Sequence, residues 1–219
     1  MRRTLPMIVF CLLLPACAAA PAPPVAVAPP PPIPDPQRAW EGIIKPDDRT
    51  RLDDLQSLWE RALADASSRA PAAVRAHAEL VAGDSGLDHP ALPPGSYRCR
   101  TVRLGTPGPG LTAFAAFRPF FCYVRSDGPM LTFTKQTGSD KPAGWLYADE
   151  ANRYVFLGTR AQGQEPGAIG YGEQPEHDVI GIVERIGAFR WRLVLPVRGE
   201  GARLDIYELV PVAPDLEEP

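Results

Sequence analysis

Residues 178–195 read as two strands and the turn that joins them. In Phe189-Arg190-Trp191-Arg192-Leu193, aromatic or aliphatic residues alternate with arginine. That period of two places Phe189, Trp191, Leu193 and Leu195 on one face of a strand, and Arg190 and Arg192 on the other. The preceding half is a β-branched run, and Gly187-Ala188 between the halves suits a tight hairpin turn. A lone hairpin is marginal in water, so its apolar face requires further strands.

Those strands lie upstream and downstream. From Pro93 the hydrophobic period changes from 3.6 to 2, and strand-like runs fall at 97–104, 120–125, 131–135, 144–148 and 154–158. Turn signals such as Ser126-Asp127-Gly128-Pro129 and Asp149-Glu150-Ala151-Asn152 separate them. With 179–186, 189–195 and 204–210 the total is eight. The expectation is a mainly β chain with a small α part: an eight-stranded antiparallel barrel, lipocalin-like in shape.

Upstream of the strands the pattern is helical. Thr50 and Asp53 resemble a capping box, and Leu52, Leu55, Trp59, Ala62, Leu63 and Ala66 follow at 3.6-residue spacing. Residues 72–81 form a second helical piece, with Pro71 in its first turn and Gly83 at its exit. Together they predict a helical hairpin packed on the sheet.

The N-terminus has Arg2 and Arg3, the apolar run 7–14, and then small residues, the order of an export signal. The run is shorter than the ~20 residues that span a bilayer. Leu14-Pro15-Ala16-Cys17 resembles a lipobox, in which Cys17 takes the lipid; the rival is cleavage after Ala18-Ala19-Ala20. Ala18 favours the outer membrane. Of the 27 prolines, nine lie between Pro21 and Pro36, which marks a polyproline spacer. The expected organisation is a signal peptide over 1–16, a lipid-anchor cysteine and linker over 17–38, and helices over 39–92. The barrel follows over 93–212, then an acidic tail over 213–219. The protein is expected in the cell envelope, as an outer-membrane lipoprotein facing the periplasm or free in the periplasm.

Charge and cysteines narrow the partners. The formal charge is −3, and loss of Arg2 and Arg3 with the signal takes it to −5. No basic footprint for nucleic acid exists, so membrane contact is expected through the lipid alone. Cys11 leaves with the signal and Cys17 is the lipid site, leaving Cys99 and Cys122. On neighbouring strands in an oxidising compartment, these two are expected to form a disulfide.

Chemistry is sparse. No Cys-x-x-Cys or His-Glu-x-x-His spacing occurs, so neither a metal nor a cofactor is called for. His77 sits in a helix without a second ligand one turn away, and His89 precedes Pro90 in a loop. His177 lies between Glu176 and Asp178, which makes it an acid/base candidate or an ordinary polar loop residue. Gly138-Ser139-Asp140 lacks a nucleophile elbow, and Pro107 and Pro109 remove amide donors from the Gly105–Gly110 stretch. Glu184 shares a face with Ile180, Ile182 and Ile186. It either points inward as a polar anchor for a ligand or forms an outer cross-strand pair with Arg190 or Arg192. Trp145, Phe156 and Trp191 are the further candidates to face a ligand.

The motifs together carry a resemblance. Arg51-Leu52-x-x-Leu55-x-x-x-Trp59, Pro94-Gly95-x-Tyr97-x-Cys99-Arg100 and Phe120-Phe121-Cys122-Tyr123-Val124 come first. Thr137-Gly138-Ser139-x-x-Pro142-x-Gly144, Phe156-Leu157-Gly158-Thr159 and Gly181-x-Val183-Glu184-Arg185-x-Gly187-x-x-Arg190-Trp191-Arg192-Leu193-Val194 follow, closed by Tyr207-Glu208-Leu209-Val210-Pro211. Over roughly Trp40 to Pro211 the chain resembles the family called domain of unknown function 4893. The resemblance implies an exported protein of proteobacterial type and transfers no activity. The expected function is a non-enzymatic envelope module for a small apolar ligand, an envelope component or a partner protein. The alternatives are a hydrolase using His177 with a nearby carboxylate, or a structural or inhibitory protein.

Overall fold

The computed structural model describes residues 36–105, 112–138, 140–162, 170–199 and 202–213. The signal peptide, Cys17, most of the proline-rich linker, the glycines near 108–110, Ser139 and most of the acidic tail lie outside them.

A 3-10 turn over Pro36–Gly42 leads into four helices: α1 (Pro46–Asp53), α2 (Leu55–Arg69), α3 (Pro71–Ala76) and α4 (Ala78–Val81). Helix α1 starts five residues earlier than the capping-box reading, with Lys45 rather than Thr50 at its N-cap. Pro46 occupies its first turn, where a missing N–H costs nothing, and Asp47 and Asp48 suit the positive end of the helix. The Thr50 hydroxyl donates instead to the Pro46 carbonyl at 3.2 Å. Helix α2 buries Leu55, Trp59, Ala62 and Ala66, the i, i+4, i+7, i+11 stripe of an amphipathic helix. It runs past Ser67 and Ser68 and ends before Pro71, whose ring disfavours helical geometry in the preceding residue. The second expected helix is broken at His77, so the hairpin is a chain of four short pieces.

Nine strands follow: β1 (Gly95–Leu104), β2 (Phe114–Ala116), β3 (Phe120–Asp127), β4 (Met130–Lys135), β5 (Asp140–Glu150), β6 (Arg153–Gln162), β7 (Asp178–Gly187), β8 (Arg190–Pro196) and β9 (Leu204–Pro211). Strands β3 to β9 run up and down in sequence order. Strand β1 closes the ring, pairing β9 along its length and β3 through Gly95–Cys99. The result is a closed eight-stranded antiparallel barrel. The extra strand, β2, pairs the far half of the same β1 edge, Val102 with Ala116 and Leu104 with Phe114.

Strand parity sorts the core into two layers. Cys99, Cys122, Val124, Phe133, Leu146, Phe156, Val183, Trp191, Leu193, Tyr207 and Leu209 fill the barrel. The opposite faces of β1, β7, β8 and β9 are also apolar, and Val102, Ile182, Val194 and Ile206 pack outward on Leu55, Trp59, Ala62 and Leu80. Beyond them, Val155, Leu157 and Ile180 are covered by Trp40. One wall of the barrel is thus buried on both faces. At the β5–β6 crossing Gly144 faces Gly158, and a Cβ on Gly144 would lie 2.4 Å from the Gly158 Cα. The two backbones approach closely only because neither residue has a side chain.

The hairpin that joins β7 to β8 departs from expectation at its tip. The register shifts between Arg185 and Gly187, and Gly187 pairs with Arg190. The turn therefore contains Ala188 and Phe189, and Phe189 is 73% exposed rather than beside Trp191.

Candidate functional site: a cup at one end of the barrel

The two ends of the barrel differ. At one end residues 87–93 cross between the last helix and β1. The Leu87 amide donates to the Arg185 carbonyl at 2.8 Å, the Trp191 indole N–H to the Pro90 carbonyl at 3.0 Å, and the Tyr97 hydroxyl to the Pro93 carbonyl at 2.6 Å. Leu92 inserts into the interior cluster. This end is closed by hydrogen bonds to and from the crossing segment's backbone and by one apolar plug.

Above the plug the middle of the barrel is packed solid. Phe133 stands edge-on to Phe156 and to Tyr207, with ring centroids 6.1 and 6.4 Å apart, and Tyr97 stands edge-on to Trp191 at 6.2 Å. Cys99 and Cys122 are diagonal neighbours on β1 and β3, Cys122 opposite Tyr97 and Cys99 opposite Phe120, and form the expected disulfide, Cα atoms 6.1 Å apart. An eight-stranded barrel is just wide enough to be filled by such side chains.

At the other end the packing stops at Tyr207 and Phe120, and a cavity of about 510 Å³ opens. Its walls come from the inward positions at one end of five barrel strands, Thr101 and Arg103 of β1, Phe120 of β3, Lys135 of β4, Asp140 of β5, and Asp205 and Tyr207 of β9. The β2–β3 link adds Phe117, Arg118 and Pro119.

The polar groups of this cup are arranged in pairs. Arg103 meets Asp205 through two parallel hydrogen bonds, 2.6 and 2.9 Å, the fork geometry that makes such pairs strong. That bond, more than the nearby charges, holds the Arg103 guanidinium above its ordinary pKa. Arg160 reaches Asp140 at 3.1 Å and Asp205 at 3.9 Å. Tyr207 is buried, hydrogen-bonds Thr101, and has its phenol pushed well above the ordinary range by burial. Lys135 places its ammonium 4.3 Å from the centroid of the Phe120 ring, and burial pulls its pKa below the usual lysine value. A buried phenol, a desolvated amine and aromatic walls make a site that can hold a ligand by contact and charge. Among the described residues no group of three or more His, Cys, Asp or Glu stands ready for a metal.

The candidates read from sequence distribute differently. Phe156 and Trp191 face the interior but lie in the packed zone, beneath the cup. Trp145 has the opposite parity to Leu146 and stands on the outer wall, 37% exposed. Glu184 also points outward, not into the barrel, yet it is buried beneath the helices. Its carboxylate accepts from Arg192 Nε at 2.7 Å, and Arg192 also donates to the carbonyls of Leu80, at 3.0 Å, and Ala82. Arg190 pairs with Glu208 at 2.6 Å on the same outer face, so the arginine alternation is wall chemistry. Asp205 of β9 faces inward and serves Arg103.

His177 lies outside the cup, in a crevice of about 170 Å³ with Arg51, Arg160 and Arg198. Its Nδ1 donates to the Arg160 carbonyl at 3.2 Å, which fixes the proton on that nitrogen. The flanking Asp178 turns its carboxylate to the Gly172 amide at 2.9 Å. Among the described residues His177 makes no hydrogen bond to a carboxylate or hydroxyl, so no proton relay forms there.

A family model described as a domain of unknown function (DUF4893) matches residues 40–209. The chain belongs to this family. The matched span runs from Trp40, which packs on the outer wall, to Leu209 in the last strand, and so contains every residue of the cup named above. No curated protein and no solved structure matches the chain. Within this DUF4893 domain the residues that carried the resemblance serve the scaffold as much as the cup. Trp59, Glu184 and Arg192 meet in one cluster, and Cys99 and Cys122 in another.

Sequence reasoning missed the cup. Its signal was present: Lys135 shares parity with Phe133, and Asp205 shares parity with Tyr207 and Leu209. A charged residue two positions from an inward aromatic, at a strand end, marks a polar barrel mouth.

Proposed function

We propose that this DUF4893 protein is a non-enzymatic binding module of the cell envelope that holds a small ligand in the open end of its barrel. The observation that carries the reading is the cup. A barrel closed at one end and filled to its middle leaves about 510 Å³ at the other, within the ~300–1,000 Å³ usual for small-molecule sites. The wall supplies apolar contact through Phe117, Pro119 and Phe120 and orientation through Thr101, Lys135 and Tyr207.

The envelope address rests on sequence. Arg2 and Arg3, the apolar run and Cys17 support export and lipidation, with Ala18 favouring the outer membrane. A disulfide facing the barrel interior suits an oxidising compartment. The linker of some 20 residues would let the domain stand off by up to ~60 Å when extended.

The test is native mass spectrometry of the protein purified from envelopes, alongside Thr101→Trp, which fills the cup. A small molecule retained by the wild type and lost from Thr101→Trp is the expected result. A wild-type protein that never carries or takes up a small molecule removes the reading.

A further inference from the structure

We infer that the cup takes an organic carboxylate with a compact apolar body, and that Lys135 is the counter-ion for its head group; this rests on the cup being a ligand site. The charges at the mouth set the sign. Arg103 and Asp205 neutralise each other at 2.6 and 2.9 Å, and Arg160 is paired with Asp140 at 3.1 Å. Among the described residues, Lys135 and Arg118 have no carboxylate within ion-pair distance. What the walls leave over is therefore positive.

Lys135 is the better placed of the two. Its ammonium rests on the Phe120 ring at 4.3 Å, half-buried, and its face-on contact offsets only part of the lost hydration. A half-buried cation without an ion pair is costly unless something completes its hydrogen bonds. A ligand carboxylate entering over Phe120 does so. A neutral ligand would desolvate the amine further and return at most a bond to an uncharged acceptor, weaker than one to a carboxylate, and a cationic one would be repelled.

The rest of the ligand follows from the floor. Phe133 and Phe156 fill the barrel beneath Tyr207, so a long acyl chain has nowhere to go. Phe117, Pro119 and Phe120 offer contact to an aryl or short branched body. One amine in the cup wall without an ion pair among the described residues, and one exposed arginine at the rim, suit a single negative charge.

Fluorescence titration with 1-naphthylacetate and with 2-(1-naphthyl)ethanol separates the parts of this inference, because the two probes differ only in the head group. The whole chain is used with Cys17→Ser, so that no lipid competes for the probes. The acetate is expected to bind at least about tenfold more tightly than the alcohol. Lys135→Met should erase that difference by weakening the acetate, with a wild-type circular dichroism spectrum and cooperative thermal unfolding reporting that the variant is folded, and Lys135→Arg should keep it. Equal binding of both probes, or a preference that survives Lys135→Met, overturns the carboxylate assignment and leaves the cup standing. Failure of both probes to bind overturns the cup reading, and the assignment with it.

Discussion

The Arg192 guanidinium lies 4.5 Å from the centroid of the Trp59 ring, joining helix α2 to the outer wall of the barrel. Glu184 closes the other side, accepting from Nε and lying in ion-pair contact with Nη2, and the carbonyls of Leu80 and Ala82 take the Nη1 N–H groups. Trp59 in turn donates its indole N–H to the Val81 carbonyl at 2.9 Å. One cation thus satisfies a carboxylate, two backbone acceptors at the end of α4 and an aromatic face, all out of water.

Breaking this pair from one side should be expensive. Glu184→Gln leaves a fully buried guanidinium without its counter-charge, and such losses cost about 3–5 kcal/mol. Arg192→Met removes the cation and also orphans two carbonyls, adding about 1–3 kcal/mol for each left unsatisfied. Urea denaturation should place both variants well below the wild type. A shift under about 1 kcal/mol in either would contradict the clasp.

The disulfide ties β1 to β3 across a sequence separation of 23 residues. Closing a loop of that size stabilises a fold by about 3 kcal/mol in the chain-entropy account. The double variant Cys99→Ser/Cys122→Ser should lose about that much. In the unreduced protein, thiol labelling should reach neither cysteine, and labelling of either in the folded state would contradict the bond.

Inner and outer aromatics should separate cleanly. Phe156→Ala opens a cavity in the packed zone and should cost about 3–5 kcal/mol. Trp145→Ala, on the outer wall, should cost about 1 kcal/mol or less. Equal losses, measured by thermal or chemical unfolding, would contradict the parity assigned to β5 and β6.

Anion binding should depend on pH in one direction. Burial lowers the Lys135 pKa most; Asp140 on β5 and Asp205 on β9 raise it, and Arg160 on β6 lowers it. Arg103 stays charged, and Tyr207 is pushed above the accessible range. The ammonium is present below its lowered pKa, so naphthylacetate affinity should hold at neutral pH and fall as pH rises through it. Naphthylethanol affinity should stay flat over the same range; a parallel fall would point to unfolding instead.

How much of this was legible in the chain depends on what covered each face. The change of period at Pro93 marked the barrel, because a switch from 3.6 to 2 has few other solutions. The β8 alternation placed Trp191 inside and Arg190 and Arg192 outside. For Glu184 it left two directions open, and the outer pair with Arg192 is the one that forms; for Trp145 it failed, because the wall of β5 to β7 is apolar on both faces. Gly144-Trp145-Leu146-Tyr147 has no polar side to give its orientation away. Strand β2, three residues long, left no pattern at all. The cup was hidden by the opposite effect, since Lys135 and Asp205 are charges that point inward, and charges at strand ends read as turn residues. Phe189 was misplaced because the register shift at the hairpin tip moved the turn by one residue.

The most direct test of the account is an amide NMR titration of the Cys17→Ser chain with 1-naphthylacetate. Shifts are expected at Thr101, Phe120, Lys135, Thr137 and Tyr207, around the cup, with Trp145 and Trp191 unmoved. No perturbation at the cup, or perturbation confined to the outer wall around Trp145, would contradict it.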